Sequence, residues 1–205
     1  HLVNPICDEG DILHYYDEAS KHLHDSVQNS DRDSTMCAAA AVVLGVYELM
    51  CSTTMFRMNH SAGARALIKE CGWDGNTPYL GGVCFWISVS MELLICLHFN
   101  WILTWDPDTW GIDMDMEDAS SKVVGDEEMW IHRIIYICAK ISNFRSSASQ
   151  EQKEQPVNGS TLSHRYREWK KFSNWCDRWR DALPRSMSAL SFTPFPSDSV
   201  FPKTW

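Results

Sequence analysis

The sequence contains no C-x-x-C pair, no H-E-x-x-H helix signature, no G-x-S-x-G elbow and no phosphate-cradling glycine loop. The first two absences remove the short spacings that bring thiolates or imidazoles together on zinc. The other two remove the usual marks of a serine nucleophile or a nucleotide site. Glycine (10) and proline (8) are sparse among 205 residues, and 44% of the chain is hydrophobic, which excludes the collagen-like and disordered classes. Basic residues are also in deficit, 18 against 27 acidic ones, for a net charge of -9. No broad basic surface is therefore available for phosphates, and no direct nucleic-acid contact is expected from this segment. A chain of this length buries about 70% of its unfolded surface without needing a disulfide or metal. The expectation is one domain over 1–205.

What is present is first of all cysteine without pairing. Cys7, Cys37, Cys51, Cys71, Cys84, Cys96, Cys138 and Cys176 stand singly, most of them in apolar stretches where a reduced thiol acts as a small hydrophobe, so a reducing compartment is expected. N-x-S sequons at Asn59 and Asn158 carry the opposite reading. The chain opens on His1 with no signal-peptide pattern, and it is read as a fragment or processed product.

Charge is segregated. Between Trp105 and Glu128, nine acidic residues face Lys122 alone, which accounts for -8 of the total -9. From His164 to Arg185 the sign reverses, with seven Arg and Lys against three acids. Such blocks mark solvated faces or internal charge complementarity. A calcium-loop reading of Asp113 to Val124 fails because Asp118 stands where the loop needs glycine and Val124 where it needs a bidentate glutamate. Asp106/Asp108 and Asp113/Asp115 are two apart, not the three or four that would align carboxylates for magnesium on one helical face. His22 and His24 point to different sides of a helix. No enzyme chemistry, metal site or cofactor is expected in this chain.

Apolar residues recur at helical spacing almost throughout, so the fold class is all-α, a multi-helix bundle or array. The spacing predicts a first helix over Asp11 to Val27, buried through Ile12, Tyr15, Ala19 and Leu23. A second, capped by Asp33 or Ser34, runs to about Cys51, and a third over His60 to Cys71 stops at Gly72. The fourth, Leu80 to Phe99, is apolar on nearly every side and is expected at the centre. It is long enough to span a membrane, but a carboxylate near its middle, Glu92, costs about 2.5 to 3.5 kcal/mol there, so no membrane insertion is expected. A fifth helix, Asp126 to Phe144, buries Trp130, Ile134, Ile137 and Ile141. Arg145 to Ser163 is read as a flexible polar loop, and a last helix, Ser163 to Leu183, has Tyr166, Trp169, Cys176 and Trp179 on one stripe.

Read in order, the segments resemble the regulatory, or middle homology, region of fungal Zn2Cys6 zinc-cluster transcription factors. The residues that carry the resemblance are Ala39 to Glu48, His60 to Ile68, Gly82 to Glu92, Asp108-Thr-Trp110, the basic helix with Trp175 and Trp179, Leu183-Pro184, and the tail at Phe201-Pro202. The resemblance implies an all-helical, nuclear control domain without catalytic residues. Ligands, co-regulators or the transcriptional machinery would tune it, and a homodimer is among its partners. Zinc and DNA binding would belong to an N-terminal cluster that this chain does not contain. The alternative is a stand-alone helical lipid- or small-molecule-binding protein or helical enzyme.

Ten tryptophans exceed what a helical core of this size needs. Phe85, Trp86, Met91 and Trp101 are the candidate lining of a pocket for a lipophilic effector such as a sterol or a fungal metabolite. Glu92 is the candidate buried charge, expected to be protonated, hydrogen-bonded or paired with a cation such as an arginine of the last helix.

Overall fold

The computed structural model describes residues 9–50, 59–116, 127–154, 158–187, 192–193 and 203–204. Among these the fold is all-α, with six α-helices: α1 (Glu9–Gln28), α2 (Ser34–Met50), α3 (Asn59–Glu70), α4 (Tyr79–Phe99), α5 (Glu127–Glu154) and α6 (Gly159–Ala182). Short 3-10 turns at Pro107–Thr109 and Arg185–Met187 and a two-residue antiparallel pairing of Phe192–Thr193 with Lys203–Thr204 complete it. Expected as one domain, the chain divides into two compact units, His1–Gly111 and Ile112–Trp205. The division falls where apolar periodicity gives way to the acidic run, just after Gly111 takes a left-handed φ of 67°.

In the first unit α2 packs against α1, α3 and α4, and α4 packs in turn on α3. Asp33 rather than Ser34 caps α2, its Oδ1 accepting from the amides of Thr35 (3.0 Å) and Met36 (3.1 Å). Small residues, Ala38, Ala41 and Gly45, make its buried face and let the neighbouring helices approach closely. Gly72 ends α3 with φ 68° while Trp73 N donates back to Ile68 O at 3.1 Å, the left-handed cap expected there. On α1 the face differs from the expected one. Ile12, Tyr15 and Ala19 are exposed, and the helix instead turns Tyr16, Ser20, Leu23 and Val27 inward, of which Leu23 is buried and the others half-buried.

The apolar helix α4 buries Phe85, Trp86, Val89, Leu93, Ile95 and Cys96. By length and composition it could cross a membrane, yet 56% of its most apolar window is buried within the structure. It is not enclosed on every side: Leu80, Val83, Ile87 and Leu94 form an exposed stripe. Its start is fixed by backbone fit. A Cβ at Gly82 would collide with the carbonyl oxygen of Thr77, and Trp86 Nε1 donates to Gly75 O at 3.2 Å, so the turn 73–78 lies directly against the helix.

In the second unit Met116, Trp130 and Ile137 are the buried centre, with Trp175, Cys176 and Trp179 packed on it. Trp179 Nε1 donates to Trp130 O at 2.8 Å and ties α6 to α5. The expected stripe on α6 is shifted. Tyr166 and Trp169 are exposed, and Phe172 is the buried residue, the inward face falling on 172, 175, 176 and 179.

The segment Arg145 to Ser163, expected as a loop, is helical through Glu154 and again from Gly159. Its residues up to Glu154 include Ala, Gln, Glu and Lys and no helix breaker, so polarity alone does not end a helix there. Ser146 is fully buried, and Arg165 Nη2 of α6 donates to Ala148 O (2.9 Å) and Glu151 Oε2 (3.1 Å) of α5. Asn158, read as a possible glycan acceptor, caps α6, with its Oδ1 accepting from Thr161 N at 2.9 Å. Cys7, Cys51, residues 117–126, most of the tail after Met187, and Phe201-Pro202 lie outside the described residues.

Candidate functional site

The first unit holds a cavity of about 240 Å³ enclosed by α2, α3, α4 and the segment that follows α4. Its floor is small because α2 contributes only Ala41, Val42 and Gly45. Ser88, Met91, Glu92 and Ile95 come from successive turns of α4, which the helical repeat sets on one side. At the end of α4, Asn100 adopts the left-handed conformation and Trp101 N donates back to Cys96 O at 3.0 Å. The chain thereby turns so that Trp101, Ile102 and Trp105 close the remaining side.

A polar device is set into this mostly apolar wall. Arg65 Nη1 of α3 donates to Glu92 Oε2 of α4 at 2.8 Å, and Glu92 Oε1 accepts from the backbone amide of Thr104. The carboxylate is thus bonded through both oxygens, and its Thr104 contact pins the segment carrying Trp101 and Trp105. The partner is an arginine of α3, not of the last helix as expected. Glu92 retains 16% side-chain exposure, so it is largely but not wholly buried. Arg65 stands in the sequence motif His60 to Ile68, but nothing local marks it as a partner of a residue 27 positions on.

Of the four expected lining residues, Met91 and Trp101 line the cavity. Phe85 and Trp86 do not: they are 2% and 7% exposed and belong to an edge-to-face aromatic cluster with Trp105 and Trp110. They lie on the face of α4 turned toward the 73–78 turn and the 105–110 segment, about a quarter turn or more from Met91. Gly45, Ser61, Ile95, Thr104 and Trp105 join the site with no signal of their own in the sequence, because their place depends on packing between elements.

Chemically the cavity offers one carboxylate, one guanidinium and the hydroxyls of Ser61, Ser88 and Thr104. Burial, and secondarily the Glu92 charge, push the Cys96 thiol up to about 11, which keeps it protonated and a poor nucleophile at neutral pH. A second polar cluster joins α1, α2 and α3. Glu48 Oε1 accepts from Tyr16 Oη at 2.7 Å and lies 2.8 Å from His60 Nδ1, while Glu48 Oε2 accepts from His60 N at 3.3 Å. Every group in it is used within the fold. Among the described residues no three His, Cys, Asp or Glu side chains converge as a metal site would require. No protein-family model matches the chain, and no curated protein or solved structure matches it.

Proposed function

We propose that this chain is the effector-responsive regulatory domain of a fungal-type zinc-cluster transcription factor, and that the cavity between α2, α3 and α4 receives the effector. The observation that supports this reading is a coincidence of residues. Three of the segments that carry the family resemblance, Ala39 to Glu48, His60 to Ile68 and Gly82 to Glu92, supply the α2, α3 and α4 walls of the cavity. A ligand seated there touches three helices and the pinned segment 101–105 at once, and a ligand shifts a conformational equilibrium only through such differential contacts. On this reading the protein acts in the nucleus through co-regulators or the transcriptional machinery. DNA contact and zinc belong to a cluster outside these residues, and this chain catalyses nothing.

A cavity of about 240 Å³ lies below the range of about 300–1,000 Å³ that drug-sized ligands occupy, which favours an effector more compact than a four-ring sterol. The test fuses the full chain to a heterologous DNA-binding domain upstream of a reporter and compares it with Gly45→Leu. A side chain at Gly45 grows toward Ser61 Oγ and Met91 Cε, which lie 3.3 and 3.6 Å from where its Cβ would stand, and fills the cavity. Reporter output that depends on the chain and changes several-fold in the variant is the expected result. A fusion indistinguishable from the DNA-binding domain alone, in both forms, overturns the regulatory reading. If small molecules still bind in that case, the chain is a stand-alone small-molecule-binding protein.

A further inference from the structure

We infer that the cavity selects a small lipophilic carboxylate, with the acid group on Arg65 and the apolar body against Met91, Ile95, Trp101 and Trp105. This inference rests on reading the cavity as a ligand site and adds the chemical class of the ligand.

The selection follows from which polar group has capacity left. Glu92 is engaged on both oxygens, one by Arg65 Nη1 and one by the Thr104 amide. Arg65 donates only that one bond among the described residues and keeps four N–H groups, in the planar fork that binds a carboxylate through two parallel bonds. A cationic ligand would find only about one acceptor site left on each Glu92 oxygen, both beside the Arg65 charge, whereas an anionic one meets four unused donors in a fork. A second cation reinforces the preference: Lys69, one turn after Arg65 on α3, sets its Nζ 5.3 Å from the centroid of the Trp105 ring that lines the cavity. The nearby Glu70 does not cancel it, being bonded to Arg32 and Ser34 at 2.8 and 2.9 Å.

Size narrows the class. At about 240 Å³ the cavity lies at the lower edge of ligand-site volumes, which suits a compact ligand: one aromatic ring or a medium-length chain with an acid end. Binding would draw the guanidinium toward the ligand and loosen its hold on Glu92, and through Glu92 the hold on Thr104 and the segment bearing Trp101. Ligand charge is thereby coupled to the position of one cavity wall.

The experiment uses three molecules with the same skeleton, 3-phenylpropanoate, 3-phenylpropanamide and 3-phenylpropylamine, titrated calorimetrically into the full chain. The acid is expected to bind at least tenfold more tightly than the amide or the amine. Arg65→Gln should cost the acid at least tenfold in Kd and leave the amide unchanged. Glu92→Gln, whose carbonyl still accepts from Thr104 N, frees the guanidinium and should tighten the acid several-fold. If Arg65→Gln does not fold, Arg65→Lys, which keeps the charge and loses the fork, should give an intermediate Kd. An acid that binds no better than the amide, or a Kd indifferent to both substitutions at Arg65 and Glu92, overturns the assignment of ligand class. In that case binding of the amide or amine that Gly45→Leu abolishes leaves the cavity as a ligand site. If none of the three molecules binds, the class and the ligand site fall together.

Discussion

The best-buried charged groups of the two units are held differently. In His1–Gly111 they pair with side chains as well as backbone amides: Arg65 with Glu92 between α3 and α4, and Tyr16 and His60 with Glu48 across α1, α2 and α3. In Ile112–Trp205 the cation that is fully buried, Arg133, bonds to backbone instead, donating from Nε to Asp113 O (2.7 Å) and from Nη2 to Asp115 O (2.8 Å), with its guanidinium 4.7 Å from the centroid of the Trp130 ring. A side-chain pair at a cavity wall has a partner that a ligand can replace. A clamp on main-chain carbonyls fixes the path of a segment, and at Arg133 it leaves Nη1 buried without a partner. That difference, more than the number of aromatics in either unit, is why the proposed ligand site is assigned to the first.

The largest effect is expected where the second unit relies on bulk. Trp130→Ala, at a side chain with no exposure, should destabilise the protein by about 3–5 kcal/mol in urea unfolding followed by circular dichroism. A cost below about 1 kcal/mol would mean that the aromatic centre does not hold that unit. Next is Gly82→Ala in the first unit. Its methyl group meets the Thr77 carbonyl, which cannot swing away as a side-chain end could, so a loss of about 1–3 kcal/mol is expected by the same measurement. An unchanged midpoint would show that the 73–78 turn is free to withdraw.

Double-mutant cycles sharpen the contrast between side-chain pairing and backbone clamping. Glu48→Ala with His60→Ala should be non-additive by about 0.5 kcal/mol or more, since each residue is the other's partner. Arg133→Ala with Asp113→Ala should be additive within about 0.5 kcal/mol, because the Asp113 carboxylate is 66% exposed and 3.6 Å from the guanidinium, while the carbonyl that Arg133 holds survives the substitution. Coupling in the second cycle as large as in the first would erase the distinction.

A smaller effect concerns pH. Burial holds His132 below its ordinary value of 6.5, with Glu128 partly opposing. The unfolded chain therefore takes up a proton as pH falls through 6.5 while the folded one does not, so this contribution to stability is intact above 6.5 and lost as pH falls toward the depressed folded value. His132→Gln should flatten that part of the stability profile; an unaltered slope would show that the ring is solvated. The smallest expectation is kinetic. With its thiol raised to about 11, Cys96 should be alkylated by iodoacetamide at pH 8 more slowly than a free cysteine, as read by peptide mass mapping of the folded chain. Labelling at the free rate would mean that the cavity opens readily to solvent.

Most helices are legible in the sequence because their apolar spacing and caps are local. Asp33, Gly72 and the apolar content of α4 mark their elements within a few residues of where they act. The 145–163 stretch reads as a loop because a polar helix and a polar loop look alike until a neighbour is present to bury Ser146 and bond Ala148. At the site, Met91, Trp101 and Glu92 are legible because large apolar groups and a lone carboxylate on an apolar helix stand out by themselves. Phe85 and Trp86 fall on the other side of α4 from the one expected, since hydrophobicity has no phase on a helix that is apolar nearly all round.

The sequence by itself determined the fold class, the approximate extent of the helices and the need of Glu92 for a partner, since helical periodicity, capping and the cost of burying charge act within or between adjacent turns. That the partner is Arg65, that Gly45 and Thr104 belong to the same cavity, and that Trp86 packs edge-to-face on Phe85 and Trp110 instead of lining it are set by the tertiary structure. Those facts depend on how α2, α3 and α4 cross, and the crossing is set by the volumes and shapes of side chains meeting between helices, which no single helix carries in its own pattern.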